Sequence, residues 1–195
     1  MPGFKPETTT DDVFALLDIL EKNGVRGWLH GGWAIDALTG QGRLHGDIDL
    51  FARQRDRGRI TALLAEYVVK QAIHKIKLNF QGALADFSFF SVMRGGIVIV
   101  KLSHYTVTLP AGAFSDVRGT IAGRGVPVIS PVGLYCEIGE RWKKPPEMLA
   151  KNVIDLAMIS DLLTEDQKTA ARRYFRENQP PWRRALVFLG LMKSF

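Results

Sequence analysis

The chain has 195 residues, 46% of them apolar and 24% charged, which excludes a disordered or fibrous protein and places it among globular domains. Its apolar runs, such as the one over residues 95–102, fall far short of the ~20 residues a membrane-spanning helix needs. The net charge is +6, and it is uneven: residues 1–140 hold 15 basic and 14 acidic side chains, residues 141–195 hold 11 and 6.

Residues 1–10 contain no apolar secretory core, which predicts a cytoplasmic protein with no membrane partner. Thr8-Thr-Thr-Asp-Asp12 reads as a helix start, and Val13, Phe14, Leu16, Leu17, Ile19 and Leu20 recur at helical spacing after it. Asn23-Gly24 ends that helix. A strand is predicted over Val25–His30. Gly31-Gly32 then precedes a short helix, Trp33–Leu38, stopped at Thr39-Gly40. Asp47–Ala52 reads as a second strand, and Arg57–Lys70 as an amphipathic helix with Ile60, Leu63, Leu64 and Val68 on one face. Strands follow at Ile73–Leu78, Ala83–Phe90 and Gly95–Leu102, with a hairpin turn at Arg94-Gly95-Gly96. Tyr105–Leu109 and Val126–Ile129 are further short strands.

After Ser130-Pro131 the pattern becomes helical, with helices predicted over Pro131–Lys143, Met148–Leu163, Thr164–Glu177 and Trp182–Lys193. Cys136, the single cysteine, lies in the first of these among apolar residues and reads as a buried thiol. The expected architecture is α+β: a core over residues 1–130 with a mixed sheet flanked by helices, then a helical region over 131–195. The basic excess of that last region reads first as a solvated helical surface, and it also suits an anionic partner such as nucleotide or RNA.

The most informative stretch runs from Leu29 to Leu50. Side chains alternate along a strand, so Asp47 and Asp49 share one face while Ile48 and Leu50 enter the core. Two carboxylates about 7 Å apart on one face repel each other, and a hard divalent cation such as Mg²⁺ relieves that repulsion with oxygen ligands. A pair of such ions can clamp the attacking and leaving oxygens of a phosphoryl displacement. Gly31 and Gly32 permit close backbone approach. The helix start behind them offers N–H groups to phosphate. Arg43 and His45 lie just before the acidic strand, His45 in phase with Asp47 and Asp49. A third carboxylate is expected on a neighbouring strand, and Asp86 is the candidate. An aspartate inside so apolar a strand needs a partner or a metal, and beside two ionised carboxylates it suits a general base that takes a proton from a hydroxyl.

Gly31-Gly-Trp-Ala-Ile-Asp36 followed by Arg43-Leu-His-Gly-Asp-Ile-Asp49 resembles the signature of the aminoglycoside and lincosamide nucleotidyltransferases, within the polymerase-beta-like nucleotidyltransferase superfamily. Weaker similarity runs through Asp86, through residues 121–131, and to Lys151-Asn-Val-Ile-Asp155, which resembles the family's Lys-x-x-x-Asp helix. The resemblance implies transfer of a nucleoside monophosphate from an NTP, with ATP expected, to a hydroxyl of a small molecule, with Mg²⁺ (two ions expected) and release of pyrophosphate. It implies that Asp47, Asp49 and Asp86 hold the metal, with Asp86 also the base. Gly31, Gly32, Arg43 and His45 would line the triphosphate site, Lys151 would reach phosphate and Asp155 would orient it, although Lys151 and Asp155 at i, i+4 also form an ordinary helix pair. Asp36 and Trp33 read as scaffold, Asp36 by capping or by pairing with Arg43, Trp33 by packing.

The chain departs from the pattern in charge. Between Asp86 and Val126 the only acid is Asp116, and Lys101, Arg118 and Arg124 stand on the expected acceptor side. A polycationic aminoglycoside is disfavoured by that charge, and a lincosamide, with one amine, less so. Two other readings of the same residues are a toxin-like nucleotidyltransferase acting on RNA or protein, and a non-enzymatic nucleotide-binding protein of the same fold.

Overall fold

Thr9 opens the first helix, α1 (Thr10–Lys22), through a reciprocal cap: the Asp12 N–H donates to Thr9 Oγ1 and the Thr9 N–H to Asp12 Oδ2 (2.9 Å). The computed structural model describes residues 3–101, 106–139 and 146–178. Helix α1 buries Val13, Leu16, Leu17 and Leu20, the predicted apolar face. Strand β1 (Gly27–His30) leads directly into α2 (Gly31–Thr39), which starts two residues earlier than its periodicity suggests and ends on Gly40 at φ +73°. The acidic strand is β2 (Asp47–Arg53).

The predicted helix 57–70 is a correction. Helix α3 covers only Arg57–Leu63; a 3-10 turn over Ala65–Tyr67 follows, and β3 (Val68–Ala72) takes the rest. Tyr67 packs edge-on to Phe80 with ring centroids 4.9 Å apart, and the β-branched pair Val68-Val69 then favours extended chain. The strand predicted over 73–78 is β4 (Lys75–Phe80). Strands β5 (Ala83–Val92) and β6 (Val98–Lys101) are joined across Gly95 and Gly96, both at positive φ, so the hairpin turn lies where the glycines predict it. Strand β7 (Thr106–Leu109) follows. The strand predicted at 126–129 is one arm of a hairpin, β8 (Arg118–Ile121) with β9 (Arg124–Pro127).

The main sheet has seven strands, in the order β1-β2-β5-β4-β3, with β6 on β5 and β7 on β6. Strands β2 and β5 are parallel and every other pair is antiparallel, so the sheet is mixed as expected. One face carries Leu29, Ile48, Leu50, Ala85, Phe87, Ile76 and Leu78, all fully buried. Each large side chain buried there contributes about 1.5–3 kcal/mol. Helix α1 covers this face where Gly27 lies against Leu20 and Leu50. The opposite face is aromatic at one end, where Phe90 stacks on Phe114 (3.9 Å, 3°), Trp28 meets both rings edge-on and Phe51 meets Phe114 edge-on. Its other end is ionic.

Helices α4 (Pro131–Gly139), α5 (Pro146–Ser160) and α6 (Glu165–Asn178) complete the described chain. Thr164 and Gln167 cap α6 reciprocally. Helices α4 and α5 pack against each other and against α2, and Cys136 is buried as expected. The helix predicted over Trp182–Lys193 lies outside the described residues. No helix among the described residues is long and apolar enough to cross a membrane.

Candidate active site

Register places the acidic residues together. The parallel pairing of β2 with β5 sets Asp49 directly opposite Asp86, and the antiparallel pairing with β1 sets His30 on the other flank of Asp49. Asp47 stands two residues earlier on the same face. One carboxylate oxygen each from Asp47, Asp49 and Asp86 lies within 4.8 Å of the others. Asp47 and Asp49 are partly exposed, whereas Asp86 is only 4% exposed.

The chemistry of this set fits a hard divalent cation: three carboxylates, no softer ligand, two of them open to solvent. A second observation agrees. Asp86 Oδ1 is buried and has no hydrogen-bond partner, a costly state for a carboxylate oxygen. Asp86 Oδ2 is engaged differently, by Lys75 Nζ at 2.7 Å and Lys77 Nζ at 3.8 Å. Both lysines lie on β4, with Lys77 directly opposite Asp86. Sequence reading missed them. The alternation Lys-Ile-Lys-Leu-Asn-Phe signals that the two share a polar face, but the pairing with Asp86 is a matter of register.

The glycine pair is required by the same packing. Gly31 adopts φ +64°, and a Cβ there would fall 2.6 Å from Asp49 Oδ2. A Cβ on Gly32 would fall 2.4 Å from His45 Nδ1. The backbone at the start of α2 therefore lies against the acidic strand at a distance only glycine permits. The first turn of α2 holds no acidic residue, and its cap position, His30, makes no side-chain capping bond. Its leading N–H groups are served by no side chain of the cap, an arrangement that favours an anion.

Arg43 and His45 converge on Asp36. The Arg43 backbone N–H and Nε donate to Asp36 Oδ2 and Oδ1 at 2.8 and 2.9 Å, and His45 Nε2 donates to Asp36 Oδ2 at 2.8 Å. Arg43 also donates to Asp155 Oδ1 on α5 at 2.7 Å. Burial disfavours the charge on Arg43, but the hydrogen bonds to Asp155 and Asp36 outweigh it and hold the guanidinium above its ordinary pKa. Asp36 thus pairs with Arg43 as expected, and Asp155 faces Arg43. The His45 ring packs on Trp33 (4.5 Å between centroids), whose Nε1 donates to Thr8. Lys151 lies on α5, and its side chain is outside the described residues.

His30 and Glu137 are further groups that sequence reading passed over. The His30 ring stacks on Phe51 (3.8 Å, 19°), and Nδ1 stands 3.8 Å from Glu137 Oε1, both side chains buried. Arg118 and Arg124, expected on the acceptor side, are elsewhere: they line a cavity at the Gly27 end of β1, away from His30, because the β8–β9 hairpin folds beside α1. Arg124 pairs there with Asp18, which lowers the Asp18 pKa and raises that of Arg124.

Comparison with known proteins follows this geometry. The family described as aminoglycoside-2''-adenylyltransferase matches residues 12–174. A lincosamide resistance protein of Staphylococcus haemolyticus is 36% identical over 67 residues, covering 34% of this chain and 42% of that protein. The chain therefore matches less than half the length of that curated relative. Among solved structures, the lincosamide antibiotic adenylyltransferase LnuA, lincomycin-bound, superposes with a TM-score of 0.62 at 21% identity, covering 80% of this chain and 99% of that one. ANT(2'')-Ia in complex with adenylyl-2''-tobramycin superposes with a TM-score of 0.67 at 22% identity, covering 87% and 98%. At these identities the two structures share the fold.

Proposed function

The chain belongs to the aminoglycoside-2''-adenylyltransferase family, and from that membership and the acidic cluster we propose that it transfers a nucleoside monophosphate from an NTP to a hydroxyl of a small antibiotic-like molecule. The observation that carries the proposal is the meeting of Asp47, Asp49 and Asp86 beside the Gly31 backbone. The three aspartates would hold Mg²⁺, which when bound offsets phosphate charge and stabilises the entering and leaving oxygens. Gly31 and Gly32 offer the start of α2 to the triphosphate.

In the proposed reaction the acceptor oxygen bonds to the α-phosphorus, the bond to the bridging β-phosphate oxygen breaks, and pyrophosphate leaves. Asp86 takes the hydroxyl proton, while Lys75 holds Oδ2. Arg43 and His45 act at the triphosphate side by fixing the loop onto Asp36, with His45 supporting the Gly32 backbone. Lys151 is proposed to reach phosphate from α5, and ATP is the proposed donor.

The test is pyrophosphate release from each NTP with lincomycin and tobramycin as acceptors, with and without Mg²⁺, for wild type and Asp49→Asn. Release that needs Mg²⁺ and an acceptor, and is lost in the variant, is expected. No release with any NTP, alongside unchanged nucleotide binding, would overturn the transfer reading in favour of a nucleotide-binding protein.

A further inference from the structure

The sheet face that carries the carboxylates is lysine-lined on its β4 and β3 side. Across it, register sets Lys70 on β3 opposite Lys77 on β4, Lys77 opposite Asp86 on β5, Asp86 opposite Asp49 on β2, and Asp49 opposite His30 on β1. Lys75 lies one pleat along β4 on the same face, with its Nζ 2.7 Å from Asp86. The glycine turn of α2 adjoins Asp49 from the β1 side. If phosphate is held at that turn, the acceptor must reach Asp86 from the opposite side, over β4 and β3. That approach is lined by Lys75 and Lys77, with side chains 40% and 38% exposed, and by exposed Lys70.

We infer that Lys70, Lys75 and Lys77 form the acceptor wall of the site and restrict the acceptor to a hydroxyl compound carrying at most one positive charge, excluding polycations. The inference rests on the transfer reading for its placement of the acceptor. Its physics is independent of turnover: ammonium groups gathered beside a site repel a polycation, and like charges brought together at an interface are strongly unfavourable. Asp86 offsets Lys75, its partner at 2.7 Å, more than Lys77 at 3.8 Å, and it does not touch Lys70. The effect weakens as salt screens it.

The experiment compares lincomycin, with its single amine, and tobramycin, a polycation, on wild type, on Lys75→Glu/Lys77→Glu, and on Lys70→Glu. Calorimetry measures equilibrium binding of each compound in the presence of Mg²⁺ and a non-hydrolysable ATP analogue, and pyrophosphate release gives kcat/KM. Wild type is expected to favour lincomycin by about tenfold or more in both measures, with the preference narrowing at high salt. The double variant is expected to shift the ratio toward tobramycin by about tenfold or more, and Lys70→Glu to shift it in the same direction by less. Lys70 does not touch Asp86, so that variant keeps the test intact if the double variant folds poorly. Equal binding of the two compounds by wild type, or a ratio unmoved in Lys70→Glu and the double variant, would overturn the inference. Absence of pyrophosphate release with the binding preference intact would count against the transfer reading and leave the cationic wall standing.

Discussion

Replacing Gly31 by alanine tests the packing on which the site depends. The residue holds φ +64°, where an L side chain costs about 1–2 kcal/mol. Its new Cβ would also fall 2.6 Å from Asp49 Oδ2, so the carboxylate would have to turn from its place in the cluster. Forcing a methyl into a packed position costs about 1–3 kcal/mol more, so Gly31→Ala should lose about 2–5 kcal/mol in total. Gly40 supplies the control. It too has positive φ, +73°, but nothing lies within 4 Å of its Cβ position. Gly40→Ala should therefore lose only the backbone share, about 1–2 kcal/mol. Urea unfolding of the two variants isolates the encroachment on Asp49 as their difference, and Mn²⁺ calorimetry reads its consequence at the carboxylates. Gly31→Ala should bind Mn²⁺ about tenfold or more weakly, and Gly40→Ala like wild type. Equal stability of the two variants with unchanged Mn²⁺ affinity in both would refute the claim that backbone and acidic strand meet at glycine-only distance.

Asp47→Asn and Asp49→Asn should each lower turnover by roughly 10²-fold or more and weaken Mn²⁺ binding, with Tm near that of wild type because both residues are partly exposed; full activity in either would remove that residue from the proposed metal site. Arg43→Met leaves Asp36 and Asp155 buried without their cation and should cost about 3–5 kcal/mol in urea unfolding, whereas a loss under 1 kcal/mol would mean that Arg43 does not tie α5 to the core. Burial pushes the Asp12 carboxyl up, but hydrogen bonds from Thr9 and Lys5 prevail and hold it below its ordinary 3.8. A depressed carboxylate stabilises the fold fully above its unfolded pKa and loses that contribution as pH falls through the folded one. Stability near pH 3 should therefore fall less steeply in Asp12→Asn than in wild type, and identical acid limbs in the two unfolding series would count against the cap.

The local motifs were legible in the sequence because their physics is local. Alternation along a strand puts Asp47 and Asp49 on one face. A threonine three residues before Asp12 caps α1, and two glycines mark the close approach at α2. Helix 57–70 misled because Leu63, Leu64 and Val68 keep helical spacing across a turn that Tyr67 ends by packing on Phe80, a contact from 13 residues further along the chain. Asp86 is a candidate from its apolar surroundings alone, but its place opposite Asp49 comes from parallel pairing of β2 and β5. Parallel register is set by how both strands bury their apolar faces, and no turn chemistry announces it. The same holds for Lys75 and Lys77, which sequence reading left as ordinary strand residues, and for Arg43 and Asp155, 112 residues apart and 2.7 Å from contact to contact. Residue types and spacing thus pointed to the chemistry proposed for the chain. Long-range pairing settled which charges surround it, because electrostatic environment depends on distance in space, and strand order converts chain separation into distance.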